Sequence, residues 1–259
     1  MDDLENLINI DHNPTKEEIF EHLTFTSKIL TENNIKHWIL YGTLLGAIRE
    51  KDIISYDYDF DLGVYFEDTE KILTLNNSIT NKKYKFEKGF GTLYSLKNKK
   101  DREYLWRVSI KVMYNDNPVG DIYIYKKCDD GFLRRYDPIN KIYFWPNSTF
   151  PHFFVEELEN LYINNSVFPA PRFGKTLIEY YYGPLWTTPI RSASQNGENH
   201  PDYDFYGNYK YSKLEHFVKY LRENHGVDSK PNFGLEHIKY VFPMEQIDWI
   251  KENEISFSK

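Results

Sequence analysis

The sequence predicts an α+β fold. Residues 14–33 space their apolar side chains for a helix, residues 83–134 alternate them as strands do, and helical patterning returns after residue 206. With 259 residues, the chain suffices for one large domain or two small ones and for a buried core.

The elements follow in order. Pro14 suits a first helical turn, Thr15-x-x-Glu18 has the form of a capping box, and Ile19, Leu23, Thr26 and Leu30 mark one face of the helix. Residues 36–41 read as a short buried strand, in which His37 is expected to be a satisfied core histidine. Gly42 breaks that strand, and Thr43 is expected to cap a short helix through Arg49. Residues 51–56 read as a loop, 57–66 as a strand and 68–76 as a helix. Residues 106–112 and 120–125 alternate in character around Asn115-Asp116-Asn117-Pro118, which predicts a hairpin. Residues 142–170 read as irregular and 173–182 as a helix stopped by Gly183-Pro184. A polar loop over 190–206 and helices near 208–224 and 243–254 complete the expectation.

Composition narrows the function. Hydrophobic residues make up 41% and charged residues 27%, as in ordinary soluble globular proteins. A net charge of -7 gives no overall basic field for nucleic acid. The single cysteine, Cys128, excludes an intrachain disulfide and a Cys-rich zinc site. No apolar run approaches the ~20 residues of a membrane span. The acidic N-terminus is unlike a signal peptide, so a cytoplasmic enzyme is expected. The 22 Tyr and 18 Phe are read first as a bias shared with Asn, Lys and Ile, and second as a sugar- or base-binding surface.

The chemistry concentrates at two stretches. Asp57, Asp59 and Asp61 alternate, and on a strand they would stand in a row on one face. Like charges at that spacing repel unless a cation sits among them, and the fitting cation is hard, Mg²⁺ or Mn²⁺. The alternative is an Asp-rich turn leading into an edge strand. Gly42 and Thr43, at a strand-to-helix turn, would offer N–H groups and a hydroxyl to a phosphate. Asp121 lies on a second alternating strand. Alone it reads as a solvent-facing residue, and beside the Asp row it reads as a general base or further ligand. Arg49 and Arg107 are the expected phosphate binders, ahead of Lys51, Lys111, Arg172 and Lys175.

Gly42-Thr43-Leu44-Leu45-Gly46-Ala47-Ile48-Arg49, followed by Tyr56-Asp57-Tyr58-Asp59-Phe60-Asp61, resembles the LicD/fukutin family of phosphotransferases. The run from Asp52 to Tyr65 is most similar to the fukutin-related branch. Looser similarity extends over residues 15–190, at Trp106-Arg107-Val108, Gly120-Asp121-Ile122-Tyr123, Phe150-Pro151 and Tyr182-Gly183-Pro184. The resemblance implies a nucleotidyltransferase-like mixed sheet flanked by helices. Residues 1–190 would form the catalytic domain, and residues 191–259 a helical extension packed on it. It also implies transfer of a phospho-alditol or phosphocholine group from a CDP-linked donor to a sugar or glycan hydroxyl, releasing CMP. Asp59 and Asp61 would match the metal-binding pair, with Asp57 just before them, and Asp121 the later-strand carboxylate. Ser55-Tyr56 departs from the family's usual Pro-Trp. The branch's membrane anchor, stem domain and zinc-finger insert are not expected here.

Three other readings compete. A nucleotidyltransferase would share the fold and release pyrophosphate from an NTP. A sugar-nucleotide glycosyltransferase also uses an Asp-x-Asp site, but the Gly42–Arg49 turn argues against it. A binding module that has lost catalysis is disfavoured by the intact acidic triplet.

Overall fold

The computed structural model describes residues 14–189, apart from 96–101, 130, 139–141, 145–148 and 184, together with residues 255 and 256. Helix α1 (Lys16–Glu32) starts at the capping box that the sequence predicts. Thr15 Oγ1 accepts from the Glu18 N–H at 3.2 Å, and the Glu18 carboxylate accepts from the Thr15 N–H at 2.8 Å. Ile19, Leu23 and Leu30 are fully buried, each contributing about 2 kcal/mol of apolar burial.

Strand β1 (His37–Ile39) leads into helix α2 (Tyr41–Arg49) and then β2 (Phe60–Tyr65). Helix α3 (Thr69–Thr74) is flanked by 3₁₀ turns. Three long strands follow: β3 (Tyr84–Ser95), β4 (Arg102–Tyr114) and β5 (Asn117–Lys127). The predicted β4–β5 hairpin forms, with Asn115 and Asp116 both at positive φ (49° and 65°), as a tight two-residue turn demands. Strands β6 (Phe132–Asp137), β7 (Ile142–Phe144) and β8 (Phe150–Pro151) precede helix α4 (Phe153–Glu156). Strands β9 (Leu158–Ile163) and β10 (Ser166–Pro171) form a separate hairpin, followed by helix α5 (Gly174–Tyr182) and, far along the chain, β11 (Ile255–Ser256).

The main sheet runs β1-β2-β5-β4-β3-β11, with β6 on β5 and with β7 and β8 on β6. It is mixed. Strand β2 is parallel to β5, and the other pairs are antiparallel. Strand β5 carries two partners along one edge. It pairs with β4 through Tyr123↔Ser109, and with β6 from Tyr125↔Arg135 onward. One sheet face is apolar, with Phe60, Leu62, Val64, Ile122, Ile124, Ile110 and Val112 all buried. Helix α1 packs there, with Phe25 stacked on Tyr84 at 3.8 Å and His22 bonded to the Tyr84 hydroxyl at 2.7 Å. The other face carries Asp61, Asp121, Lys111, Tyr123 and Tyr125. Helices α2 and α5 pack together on that side.

Several expectations change. Residues 142–170 hold four strands and a short helix rather than irregular chain. The missed signal is Asn164-Asn165, a two-residue turn with Asn164 at φ 51°, between runs whose register closes at Ile163↔Ser166. The strand expected over 57–66 begins only at Phe60, because the Asp57 N–H closes a turn onto Ile54 O at 3.0 Å. His37 is the core histidine expected, bonded to Ser27 Oγ at 2.8 Å and Ile35 O at 3.0 Å. The loop over 190–206, the helices near 208–224 and 243–254 and the extension as a whole lie outside the described residues, β11 excepted. No helix among the described residues is long and apolar enough to cross a membrane.

Candidate functional site

The site forms where the start of α2 crosses the beginning of β2. Leu40 is extended and donates its N–H to Asp61 O at 3.0 Å. Tyr41, at φ 44°, turns the chain into the helix. The Asp61 N–H donates to Thr43 Oγ1 at 2.8 Å, and the Gly42 N–H donates to Asp61 Oδ2 at 3.2 Å. Thr43 therefore anchors β2 and does not cap α2. Leu40 holds the cap position, without a side-chain hydrogen bond. A Cβ on Gly42 would lie 2.7 Å from Asp57 Oδ2 and 3.6 Å from Asp61 Oδ2. A side chain at this position would force the Asp57 carboxylate to shift.

Asp61 and Asp121 are register partners on the parallel strands β2 and β5. Asp57 and Asp59 stand on the approach to β2 rather than in it, so the expected row on one strand becomes a cluster fed from two strands and a turn. Burial pushes the Asp57 carboxyl up to about 6, with Glu50 adding to the shift and the Tyr58 N–H opposing it. Asp61 is raised well above the usual carboxylate range, first by burial and then by Asp59, Asp57 and Asp121. The Tyr58 ring, 53% exposed, stands in the field of the same four carboxylates. Asp121 is buried. Its Oδ2 accepts from Lys111 Nζ at 2.7 Å, and its Oδ1 has no hydrogen-bond partner.

These groups suit a hard cation by chemistry. The donors are all oxygen, their charges repel, and one buried oxygen is left unpartnered. Among the described residues, no three His, Cys, Asp or Glu side chains already converge as a metal-holding group.

The expected cations lie in three different situations. Arg49 is tied down: its Nη2 donates to Glu50 Oε1 at 2.7 Å and to the Tyr56 hydroxyl at 3.3 Å, and its Nη1 donates to Trp186 O at 3.2 Å. Arg107 falls within β4, and its side chain lies outside the described residues. Lys111 is paired with Asp121. Arg135, on β6, was not among the expected site residues. Its guanidinium carbon lies 4.2 Å from the centre of the Tyr123 ring. Only the β5–β6 register distinguishes it from neighbouring Arg134.

Tyrosines line the same face. The Tyr41 and Tyr125 hydroxyls bond at 2.9 Å, and the Tyr41 ring meets Tyr123 edge-on at 5.1 Å and Tyr181 at 5.2 Å. The Tyr123 hydroxyl is raised well above its ordinary value, by burial first and then by Asp121 and Asp61. These tyrosines stand on the same sheet face as Asp61 and Asp121.

Comparison with known proteins identifies the family. The family described as LicD/FKTN/FKRP, nucleotidyltransferase domain, matches residues 34–173. An uncharacterized protein of Rickettsia prowazekii is 48% identical over 50 residues, 19% of this chain and 19% of that protein. The ribitol 5-phosphate transferases FKRP of Homo sapiens and Mus musculus are each 50% identical over 40 residues, 15% of this chain and 8% of theirs. The matched segments thus span less than a fifth of the length of these relatives. Among solved structures, the lincomycin-bound lincosamide antibiotic adenylyltransferase LnuA matches 58% of this chain and 78% of its own, with a TM-score of 0.36 and 12% identity. The family match runs from β1 to β10 and contains all four clustered carboxylates, and on it the chain belongs to the LicD/FKTN/FKRP nucleotidyltransferase-domain family.

Proposed function

We propose that the protein is a phosphotransferase of the LicD type. It moves a phospho-alditol or phosphocholine group from a CDP-linked donor to a sugar or glycan hydroxyl and releases CMP. The observation that carries this reading is the pairing of Asp61 with Asp121 across β2 and β5, at the glycine-bearing start of α2.

The residues divide the work. Asp57, Asp59 and Asp61 would hold Mg²⁺ or Mn²⁺. The chemistry such a cation supplies is neutralisation of charge on the donor pyrophosphate and on the leaving oxygen. Asp121, with one oxygen fixed by Lys111 and the other unpartnered, takes the proton of the acceptor hydroxyl. The acceptor oxygen forms a bond to the phosphorus that bears the alcohol. The bridging P–O bond breaks, and its electron pair leaves with CMP. Gly42 and Thr43 keep Asp61 in place, and the tyrosine face excludes water.

The test is incubation with CDP-ribitol, CDP-glycerol and CDP-choline, an acceptor sugar and Mg²⁺ or Mn²⁺, with detection of CMP. Acceptor-dependent CMP release is expected. Pyrophosphate release from an NTP, with no CMP from any CDP donor, would instead select the nucleotidyltransferase reading.

A further inference from the structure

Among the described residues, Arg135 is a guanidinium without an ion-pair partner, in a site rich in carboxylates. It faces Tyr125 across the β5–β6 register and stacks on Tyr123. The Tyr41 hydroxyl is its hydrogen-bonding neighbour, and Tyr123, Tyr125 and Asp121 shape the field around its charge. Its Nε is buried and has no hydrogen-bond partner. Among the described residues it forms no ion pair with a carboxylate, whereas Arg49, Lys111 and Arg172 each do. Arginine cannot shed its charge to relieve this, and a partly buried guanidinium without an anion is costly.

The position is built to receive an anion. Contact with the Tyr123 ring restrains the guanidinium before any ligand arrives, which lowers the entropy lost on binding. The residue is partly exposed, so a solute can reach it. Tyr123 feels Asp121 and Asp61 as well as Arg135. The cationic and anionic parts of the site therefore share one tyrosine wall.

We infer that Arg135 binds the pyrophosphate of the nucleotide donor through its guanidinium fork, next to the carboxylate cluster. The assignment rests on the donor reading given above. It moves the phosphate-gripping role from Arg49, whose guanidinium is spent on Glu50, Tyr56 and Trp186, to a residue on β6.

Calorimetry separates this assignment from the donor reading. The probes are CDP and inorganic pyrophosphate, each with Mg²⁺, and the proteins are the wild type, Arg135→Gln and Arg135→Lys, with folding verified by melting curves. Arg135→Gln should weaken both probes about tenfold or more, the scale of a lost charged hydrogen bond. Arg135→Lys should recover part of the affinity, since it keeps the charge and loses the planar fork. Wild-type affinity for both probes in Arg135→Gln overturns the assignment and leaves the donor reading standing. Should Arg135→Gln fail to fold, undiminished affinity in Arg135→Lys overturns it equally. Pyrophosphate binding that depends on Arg135, without CDP binding by the wild type, upholds the anion role and removes the CDP donor. Binding of neither probe by the wild type overturns both.

Discussion

Asp61 is the residue on which the site turns. Its backbone is held by Leu40 and Thr43, and its carboxylate by Gly42. Its charge is opposed by burial and by three other carboxylates. Asp61→Asn should abolish turnover while leaving the fold intact. It should also raise the stability of the metal-free protein, since a repelled charge is removed. The pH dependence has a definite sign. Folding raises the carboxyl pKa of Asp57 and of Asp61, so the folded state holds protons that the unfolded chain releases. Their stabilising contribution is complete below the unfolded value near 3.8, and that of Asp57 is lost as pH rises through about 6. Melting curves in EDTA should therefore show Asp57→Asn gaining more over the wild type at pH 8 than at pH 5. An equal gain at both would place Asp57 in solvent. Asp121→Asn should lower turnover by roughly 10²-fold, the scale of lost general-base catalysis, and should weaken donor binding far less. Near-normal turnover in that variant would leave Asp121 a purely structural partner of Lys111. Asp57, Asp59, Asp61 and Asp121 were legible in the sequence because alternation and composition single them out. Arg135 was not, because adjacent arginines on a strand point to opposite faces and only the register with β5 decides which one meets the site.

At the scale of elements, the start of α2 is set by packing rather than by a capping side chain. Gly42→Ala would drive a Cβ into the Asp57 carboxylate. It should impair Mg²⁺-dependent nucleotide binding by calorimetry while changing the circular dichroism little. Unchanged binding would mean that the carboxylates and the helix start are free to move apart. The sequence predicted α1, the β4–β5 hairpin and α5 from their capping box, Asn115–Pro118 turn cluster and Gly183 stop, all of which are local signals. It overextended β2, because alternating aspartates mimic a strand while a turn at Ile54–Asp57 claims the first of them. It missed the β9–β10 hairpin because Pro169 and Pro171 argue against a central strand and are admitted only where a strand has an open edge. His37 links α1 to β1. Burial lowers its pKa, so the stability it gives is complete above 6.5 and is lost as pH falls through the depressed folded value. Ser27→Ala removes its Nε2 partner and should cost about 1 kcal/mol, read by denaturant unfolding at neutral pH. No loss would show that the pair is solvated.

Across the whole molecule, the sheet separates two jobs. One face buries the core beneath α1, and the other gathers four carboxylates, Lys111, Arg135 and a wall of tyrosines between β2, β5, β6 and α2. The net charge of -7 provides no general attraction for a nucleotide diphosphate. Affinity for such a donor must come from a cation held by the carboxylates and from local guanidinium groups. The most direct measurement is calorimetry of CDP binding to the wild-type protein with and without Mg²⁺. Binding should be much tighter with Mg²⁺, and that difference should disappear in Asp61→Asn. Equal affinity in both conditions would mean that the acidic cluster does not meet the pyrophosphate, and would contradict the account.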